Sequence, residues 1–264
     1  MDAPAIRLAF DAGTLVVAGP APERLSELPG VRFDPRTNSH RAEARHYRAI
    51  VEHLRGNGIN YTDDVRTYQH TPWPLRSDRE PFPHQTEAVE TWWKERGQGV
   101  VVLPTGTGKT FAAILAIAKA ARPALVITPT IDLLNQWYGE LSAAFDVPIG
   151  LMGGGHHDIQ PITVTTYDSA YIYVEKWGNR FGLLVFDECH HLPGPTSQLA
   201  AVGSIAPFRL GLTATPERAD GLDSLYHELI GPIVYRREIK QLAGDFLAEF
   251  TTQRHYVDLT AEEL

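Results

Sequence analysis

The chain has 264 residues, 43% of them apolar, and a net charge of −8. This is room for one large domain plus a small one, and it excludes a broadly basic nucleic-acid coat but not a local groove with a few well-placed donors. No apolar run reaches the roughly eighteen residues of a membrane span; Met1-Asp2-Ala3-Pro4 lacks the segments of a signal peptide, and the lone Cys189 forms no internal disulfide, so a reducing intracellular compartment is expected, cytoplasmic in a prokaryote and nuclear in a eukaryote.

Residues 1–76 contain no lysine, and arginines balance acidic residues over 1–78, so the whole −8 falls on residues 79–264. Ile6 to Phe10 and Leu15 to Ala18 flank Asp11-Ala12-Gly13-Thr14, a hairpin signal. Val31-Arg32-Phe33 reads as a short strand. Ser39 is placed to cap a helix running to about Arg55, with Tyr47, Ile50, Val51 and Leu54 as its buried stripe. Gly56 and Gly58 end it, and Asn60-Tyr61-Thr62 reads as another strand. Arg41, Arg45, Arg48 and Arg55 flank that helix, either as a solvated face or as DNA phosphate contacts. Thr71-Pro72-Trp73-Pro74 to Pro81-Phe82-Pro83 reads as a proline-rich linker.

From Gln85 onward strands alternate with helices. Strand-like runs are Val100–Leu103, Ala124–Thr128, Ile162–Thr165, Leu183–Phe186, Phe208–Thr213 and Ile233–Tyr235, and Ile131 to Ala144 is helical. The alternation predicts a mostly parallel sheet with helices on both faces. Gly153-Gly154-Gly155 reads as a flexible loop.

Leu103-Pro104-Thr105-Gly106-Thr107-Gly108-Lys109-Thr110 lies between an apolar strand and an Ala-, Ile- and Leu-rich helix, the setting a phosphate-binding loop requires. Gly106 and Gly108 admit backbone conformations other residues resist, so N–H groups at the helix start can face a phosphate chain. Lys109 is placed to reach the β- and γ-phosphates and the Thr110 hydroxyl to ligate Mg²⁺. After the strand Leu183–Phe186 come Asp187, expected to hold Mg²⁺, and Glu188, expected to orient the attacking water. His190 reads as a coupling residue beside the γ-phosphate. Cys189-His190-His191, His156-His157 and His84 match no zinc spacing. The residues thus point to a protein that binds and hydrolyses a nucleoside triphosphate.

Further runs resemble a known family. The loop has the helicase form P-T-G-T-G-K-T. Gln85 in Pro83-His84-Gln85 looks like a Q motif, where the amide reads adenine. Thr128-Pro129-Thr130 with Asn135-Gln136-Trp137 looks like motif Ia, and Thr213-Ala214-Thr215 like motif III. This is similar to the first RecA-like domain of a superfamily 2 helicase. The runs T-T-Y-D-S-A-Y, G-N-R-F-G-L-L-V-F-D-E and S-I-A-P-F-R-L-G-L-T-A-T resemble the XPB family, especially its archaeal and bacterial members, strongly over about 80–258 and more weakly over 1–76.

The resemblance implies a small α/β damage-recognition-like domain over 1–76, the RecA-like domain over 77–258, and at 259–264 the start of a linker to a second half. It implies ATP and Mg²⁺ as cofactors, forked or double-stranded DNA as substrate, and a repair nuclease or transcription complex as partner, with no membrane. Thr130, Thr166 and Ser169 are then expected on the DNA backbone, and Thr213 and Thr215 to link nucleotide state to DNA grip. The family's R-E-D motif reads Arg218-Ala219-Asp220 here, without its middle carboxylate; Arg218 and Asp220 stay candidate DNA contacts. Without the second half's arginine finger, worth about 10³–10⁵ in rate, or roughly 4–7 kcal/mol, the chain alone is expected to hydrolyse ATP near background. A restriction-type translocase motor and a non-catalytic, nucleotide-gated DNA- or partner-binding module are the other readings.

Overall fold

The structure, a computed structural model, describes residues 6–76, 79–192, 194–216, 223–238 and 241. Its first sheet is built from β1 (Ile6–Asp11), β2 (Thr14–Ala18), β3 (Arg32–Asp34), β4 (Ser39–Glu43) and β5 (Tyr61–Asp64), in the order β3-β4-β2-β1-β5. Ala12 and Gly13 make the two-residue turn between β1 and β2, both at positive φ, as a tight hairpin demands. The short α1 (Pro22–Leu25) and α2 (Tyr47–Gly56) cover this sheet. Tyr47, Ile50, Val51 and Leu54 form the buried stripe of α2, as their spacing predicts.

The second sheet carries β6 (Gln98–Val102), β7 (Ala124–Thr128), β8 (Ile149–Gly153), β9 (His156–Asp158), β10 (Ile162–Thr166), β11 (Leu183–Phe186), β12 (Phe208–Thr213) and β13 (Ile233–Arg236). Their order is β13-β6-β12-β11-β7-β10-β8-β9, and all pairs are parallel except β8 with β9. The helices are α3 (Pro83–Lys94), α4 (Lys109–Ala120), α5 (Ile131–Ala144), α6 (Tyr167–Trp177), α7 (Leu199–Val202) and α8 (Asp223–Ile230). Every residue of β7, β10 and β11 is buried, as expected of strands covered on both faces. Two apolar clusters result, one around Trp92, Trp137 and Ile117 and the other around Phe186, Tyr167 and Leu192. This is the expected mostly parallel α/β sheet preceded by a small α/β unit. Among the described residues no helix is long and apolar enough to cross a membrane.

Several local readings are corrected. Ser39 starts strand β4 rather than capping a helix: Thr14 to Val17 pair with Glu43 to His40, and only Ala42 faces the core. The helix begins at Tyr47, after a 3₁₀ turn over Ala44–His46. Arg41 therefore sits on a strand, 2.6 Å from Asp11. Arg45 pairs with Glu43 and Glu228 at 2.7 Å, Arg48 with Glu52 at 3.0 Å, and Arg55 Nε donates to the Tyr61 hydroxyl at 2.8 Å. Gly154 and Gly155 form the turn of the β8–β9 hairpin rather than a loose loop. The proline-rich stretch is tied down: Trp73 is buried and its Nε1 donates to Arg122 O at 2.8 Å, and the amides of Thr71 and Arg76 donate to Ala121 and Ala144.

The small unit is fastened to the large one. Arg48 Nη1 donates to Arg96 O and Pro207 O, both at 2.9 Å, Glu52 also pairs with Arg96, and Ile205 enters the small unit's core. Beneath this contact Arg209 is 4% exposed. Its guanidinium donates to the carbonyls of Ala206, Leu229, Ala201 and Ser204 at 2.7–3.3 Å. Burial pulls it down to about 10, so it remains a cation at neutral pH, caged by carbonyl dipoles.

Candidate active site

The parallel strands deliver the candidate residues to one edge. The loop 103–108 follows β6, Thr130 follows β7, Thr166 ends β10, Asp187 and Glu188 follow β11, and Thr213 ends β12. Ligands gather at this carboxyl edge in open α/β sheets.

Gly106 and Gly108 have φ of +84° and +80°. Gly108 is the N-cap residue of α4, so the first amides of that helix open toward the loop. A Cβ on Gly108 would meet the Gln85 side-chain amide, which adds to the demand that its φ already makes for glycine. Thr107 Oγ1 donates to Pro104 O at 2.7 Å and closes the loop on itself. Gln85 is buried: its Oε1 accepts the Phe82 amide at 3.0 Å, and its Nε2 faces the carbonyls of Thr107 and Gly108 at 3.1 and 3.2 Å. His84 Nε2 lies 2.9 Å from Thr107 O. Helix α3 thus braces the phosphate loop from behind. Lys109 Nζ donates to Leu103 O at 3.3 Å and lies 3.9 Å from Glu188.

Asp187 is 7% exposed. Its Oδ2 accepts the Trp137 indole N–H at 2.7 Å and its Oδ1 the Glu188 amide at 3.1 Å. Tyr167 donates its hydroxyl to Asp187 O at 3.1 Å. Burial pushes the Asp187 carboxyl above its ordinary range, with the Trp137 bond opposing. Among the described residues no lysine or arginine forms an ion pair with Asp187. A desolvated carboxylate held by N–H donors, with the Lys109 charge close by but not in contact, fits a divalent cation. Thr110 lies in the first turn of α4, directly after the phosphate loop.

Glu188 has left-handed backbone, φ +44°, which for a non-glycine residue is uncommon and concentrates at functional sites. It lies 3.4 Å from both His190 Nδ1 and Thr213 Oγ1. Thr213, fully buried, also accepts the Thr215 amide at 3.1 Å. Burial pushes the Cys189 thiol up, so it stays protonated and unreactive.

Thr130 is exposed and caps α5, its Oγ1 accepting Leu133 N at 3.3 Å. Thr166 caps α6, its Oγ1 accepting Ser169 N at 3.2 Å. Thr105 is exposed on the loop. Arg218, Ala219 and Asp220 lie outside the described residues. The contacts of Trp137 and Tyr167 with Asp187 are missed by the sequence: Trp137 carries a legible signal, as one aromatic on the Leu134–Leu141 face of α5, but its partner is fifty residues away.

A phosphate loop, and an acidic pair two strands away at the same edge of a parallel sheet, define a RecA-like P-loop domain. Comparisons with known proteins agree. Residues 78–218 match the family described as type III restriction enzyme, res subunit, and residues 8–65 the Xeroderma pigmentosum group B helicase damage recognition domain. The chain is 42% identical over 236 residues to the DNA 3'-5' translocase XPB2 of Sulfurisphaera tokodaii, covering 89% of this chain and 53% of that protein. It is 36% identical over 174 residues to the DNA 3'-5' helicase XPB of Mycobacterium tuberculosis, covering 62% and 30%. In fold it is similar to the UvsW helicase from bacteriophage T4, with TM-score 0.52, 19% identity and coverage of 88% of this chain and 99% of that one. The chain belongs to the type III restriction enzyme res subunit family through residues 78–218, and its residues 8–65 are similar to the XPB damage recognition domain. It spans about half the length, or less, of these curated relatives.

Proposed function

We propose that this chain is the nucleotide-binding half of an XPB-type, ATP-driven DNA helicase or translocase acting in DNA repair or transcription, in whichever compartment holds the DNA. On this reading residues 1–76 are the damage-recognition-like domain and 77–258 the first RecA-like domain. The observation that carries this reading is the meeting of Lys109, Glu188, His190 and Thr213 beside Asp187 at one sheet edge.

Thr105, Gly106, Thr107, Gly108, Lys109 and Thr110 cradle the phosphates of ATP; Gln85, expected to read adenine, has its buried amide bonded to Phe82, Thr107 and Gly108, so its role here is to hold that loop in shape. Thr110 and Asp187 would hold Mg²⁺, which would supply charge neutralisation for phosphoryl transfer. Glu188 orients the water and accepts its proton. His190, Thr213 and Thr215 pass the state of the site toward the DNA-facing edge. Thr130, Thr166 and Ser169 touch the DNA backbone, with Arg218 and Asp220 as further contacts. A second RecA-like domain supplies the arginine finger, and a nuclease or transcription complex is the partner class the XPB reading implies. The restriction-motor alternative shares the match over 78–218; the match over 8–65 favours the XPB reading.

Titration of a fluorescent ATP analogue, with and without Mg²⁺, tests the site. Saturable, Mg²⁺-dependent binding that disappears in Lys109→Ala is expected. Binding that survives in Lys109→Ala would overturn it.

A further inference from the structure

Helices α5 and α6 share an arrangement. Each begins at a threonine N-cap at the strand-end edge, Thr130 on α5 and Thr166 on α6. Each carries an aromatic side chain that hydrogen-bonds to the same residue: Trp137 to the Asp187 carboxylate at 2.7 Å, and Tyr167 to the Asp187 carbonyl at 3.1 Å. Both aromatics are buried, Trp137 at 2% exposure and Tyr167 at 5%.

We infer that Trp137 and Tyr167 are positioning residues that lock Asp187 to the two helices, so that a nucleic-acid strand gripped at Thr130, Thr166 and Ser169 is registered at the metal-holding carboxylate. This rests on the proposed roles of Asp187 and of those hydroxyls. Three features argue for it beyond packing. A phenylalanine would keep the ring of Tyr167 and only part of the bulk of Trp137, yet both native side chains present a donor and both donors are used on one residue. The two bonds fix different parts of it: the indole sets the plane of the carboxylate, and the phenol sets the peptide that carries it. Asp187 N also donates to Ile127 O at 2.9 Å, in the strand that leads to Thr130. A shift of either helix axis is therefore transmitted to the carboxylate by directional bonds. Outer-shell donors of this kind set ligand orientation, and their loss costs about 10- to 100-fold in metal affinity.

The test uses the whole 264-residue chain. The Mg²⁺ concentration that half-saturates binding of a fluorescent, non-hydrolysable ATP analogue is measured for wild type, Trp137→Phe and Tyr167→Phe, with and without duplex DNA, beside thermal midpoints. In wild type, DNA shifts the Mg²⁺ requirement. Trp137→Phe needs about tenfold more Mg²⁺, binds nucleotide without metal as wild type does, and loses the DNA shift. Tyr167→Phe loses the DNA shift with a smaller change in Mg²⁺ requirement. A folded Trp137→Phe with wild-type Mg²⁺ requirement and full DNA shift overturns the inference, as does a wild type whose Mg²⁺ requirement ignores DNA. If Trp137→Phe does not fold, an undiminished DNA shift in Tyr167→Phe overturns it. Nucleotide binding that persists in Lys109→Ala would instead show that the site itself was misassigned.

Discussion

His190 Nδ1 lies 3.0 Å from the Thr213 hydroxyl, which joins the ends of β11 and β12 side chain to side chain. Thr213 Oγ1 is also the partner of the Thr215 amide and of Glu188. One buried hydroxyl therefore ties the acidic pair to the segment that leads to residues 216 and beyond. Thr213→Val keeps the shape and removes the oxygen. Leaving these groups unpaired is expected to cost about 1–3 kcal/mol in a denaturant melt. Nucleotide affinity should change little, while stimulation of turnover by DNA should be lost once a second half is present.

Gln85 makes three bonds from a fully buried amide, one to the Phe82 amide and two to carbonyls of the phosphate loop. Gln85→Ala leaves the loop carbonyls without these donors. The expected loss in nucleotide affinity is about 1–3 kcal/mol, or roughly 5- to 150-fold. Calorimetry with ADP reads this directly; unchanged affinity would mean that the loop holds its shape unaided.

Arg209 satisfies four buried carbonyls with one side chain. Arg209→Met fills the space but strands those acceptors, and leaving a buried carbonyl unsatisfied costs about 1–3 kcal/mol each. The melt should drop accordingly. Among the described residues the hydrogen-bond partners of Arg209 lie outside the nucleotide site, so an ATP-analogue affinity measured below the new melting range should be retained.

Glu52 bridges Arg48 and Arg96 across the junction of the two units. Burial pushes its carboxyl up, but the bonds to Arg96 and Arg48 outweigh burial and leave it below the ordinary value of 4.5. A lowered carboxyl stabilises the fold above its unfolded pKa and stops doing so as pH falls through the lower folded value. The side chain is 46% exposed, so solvent screening keeps the contribution under about 1 kcal/mol. Glu52→Gln should lower the melting midpoint slightly at pH 7 and low salt. The difference from wild type should shrink in high salt and below about pH 4.

Much of the large sheet was legible because its strands are covered on both faces. Ala124–Thr128, Leu183–Phe186 and Phe208–Thr213 are apolar runs whose ends match those of β7, β11 and β12. Helix α5 was legible as the segment Ile131 to Ala144 between two strand-like runs, and those are its bounds. Strand β4 was not, because Ser-His-Arg-Ala-Glu buries only Ala42 and owes its conformation to pairing with β2. The β8–β9 hairpin was hidden by three consecutive glycines, which suit a loop and a turn equally. In the site, the loop and the acidic pair declared themselves by local order along the chain. The bracing of the loop by Gln85, and the bonds of Trp137 and Tyr167 to Asp187, are contacts between distant segments that no periodicity encodes.

The central claim is that this chain holds one half of a DNA-driven ATPase site. The most direct measurement is Mg²⁺-ATP turnover with and without forked duplex DNA, for the chain alone and after adding a second RecA-like half from an XPB relative, with Lys109→Ala as control. Near-background turnover alone, a rise of about 10³-fold or more when both the second half and DNA are present, and its loss in the control are predicted. DNA-stimulated turnover by this chain alone, or turnover that both additions leave at background while the chain still binds DNA, would contradict the account; the second result would make it a binding module with a motor's fold.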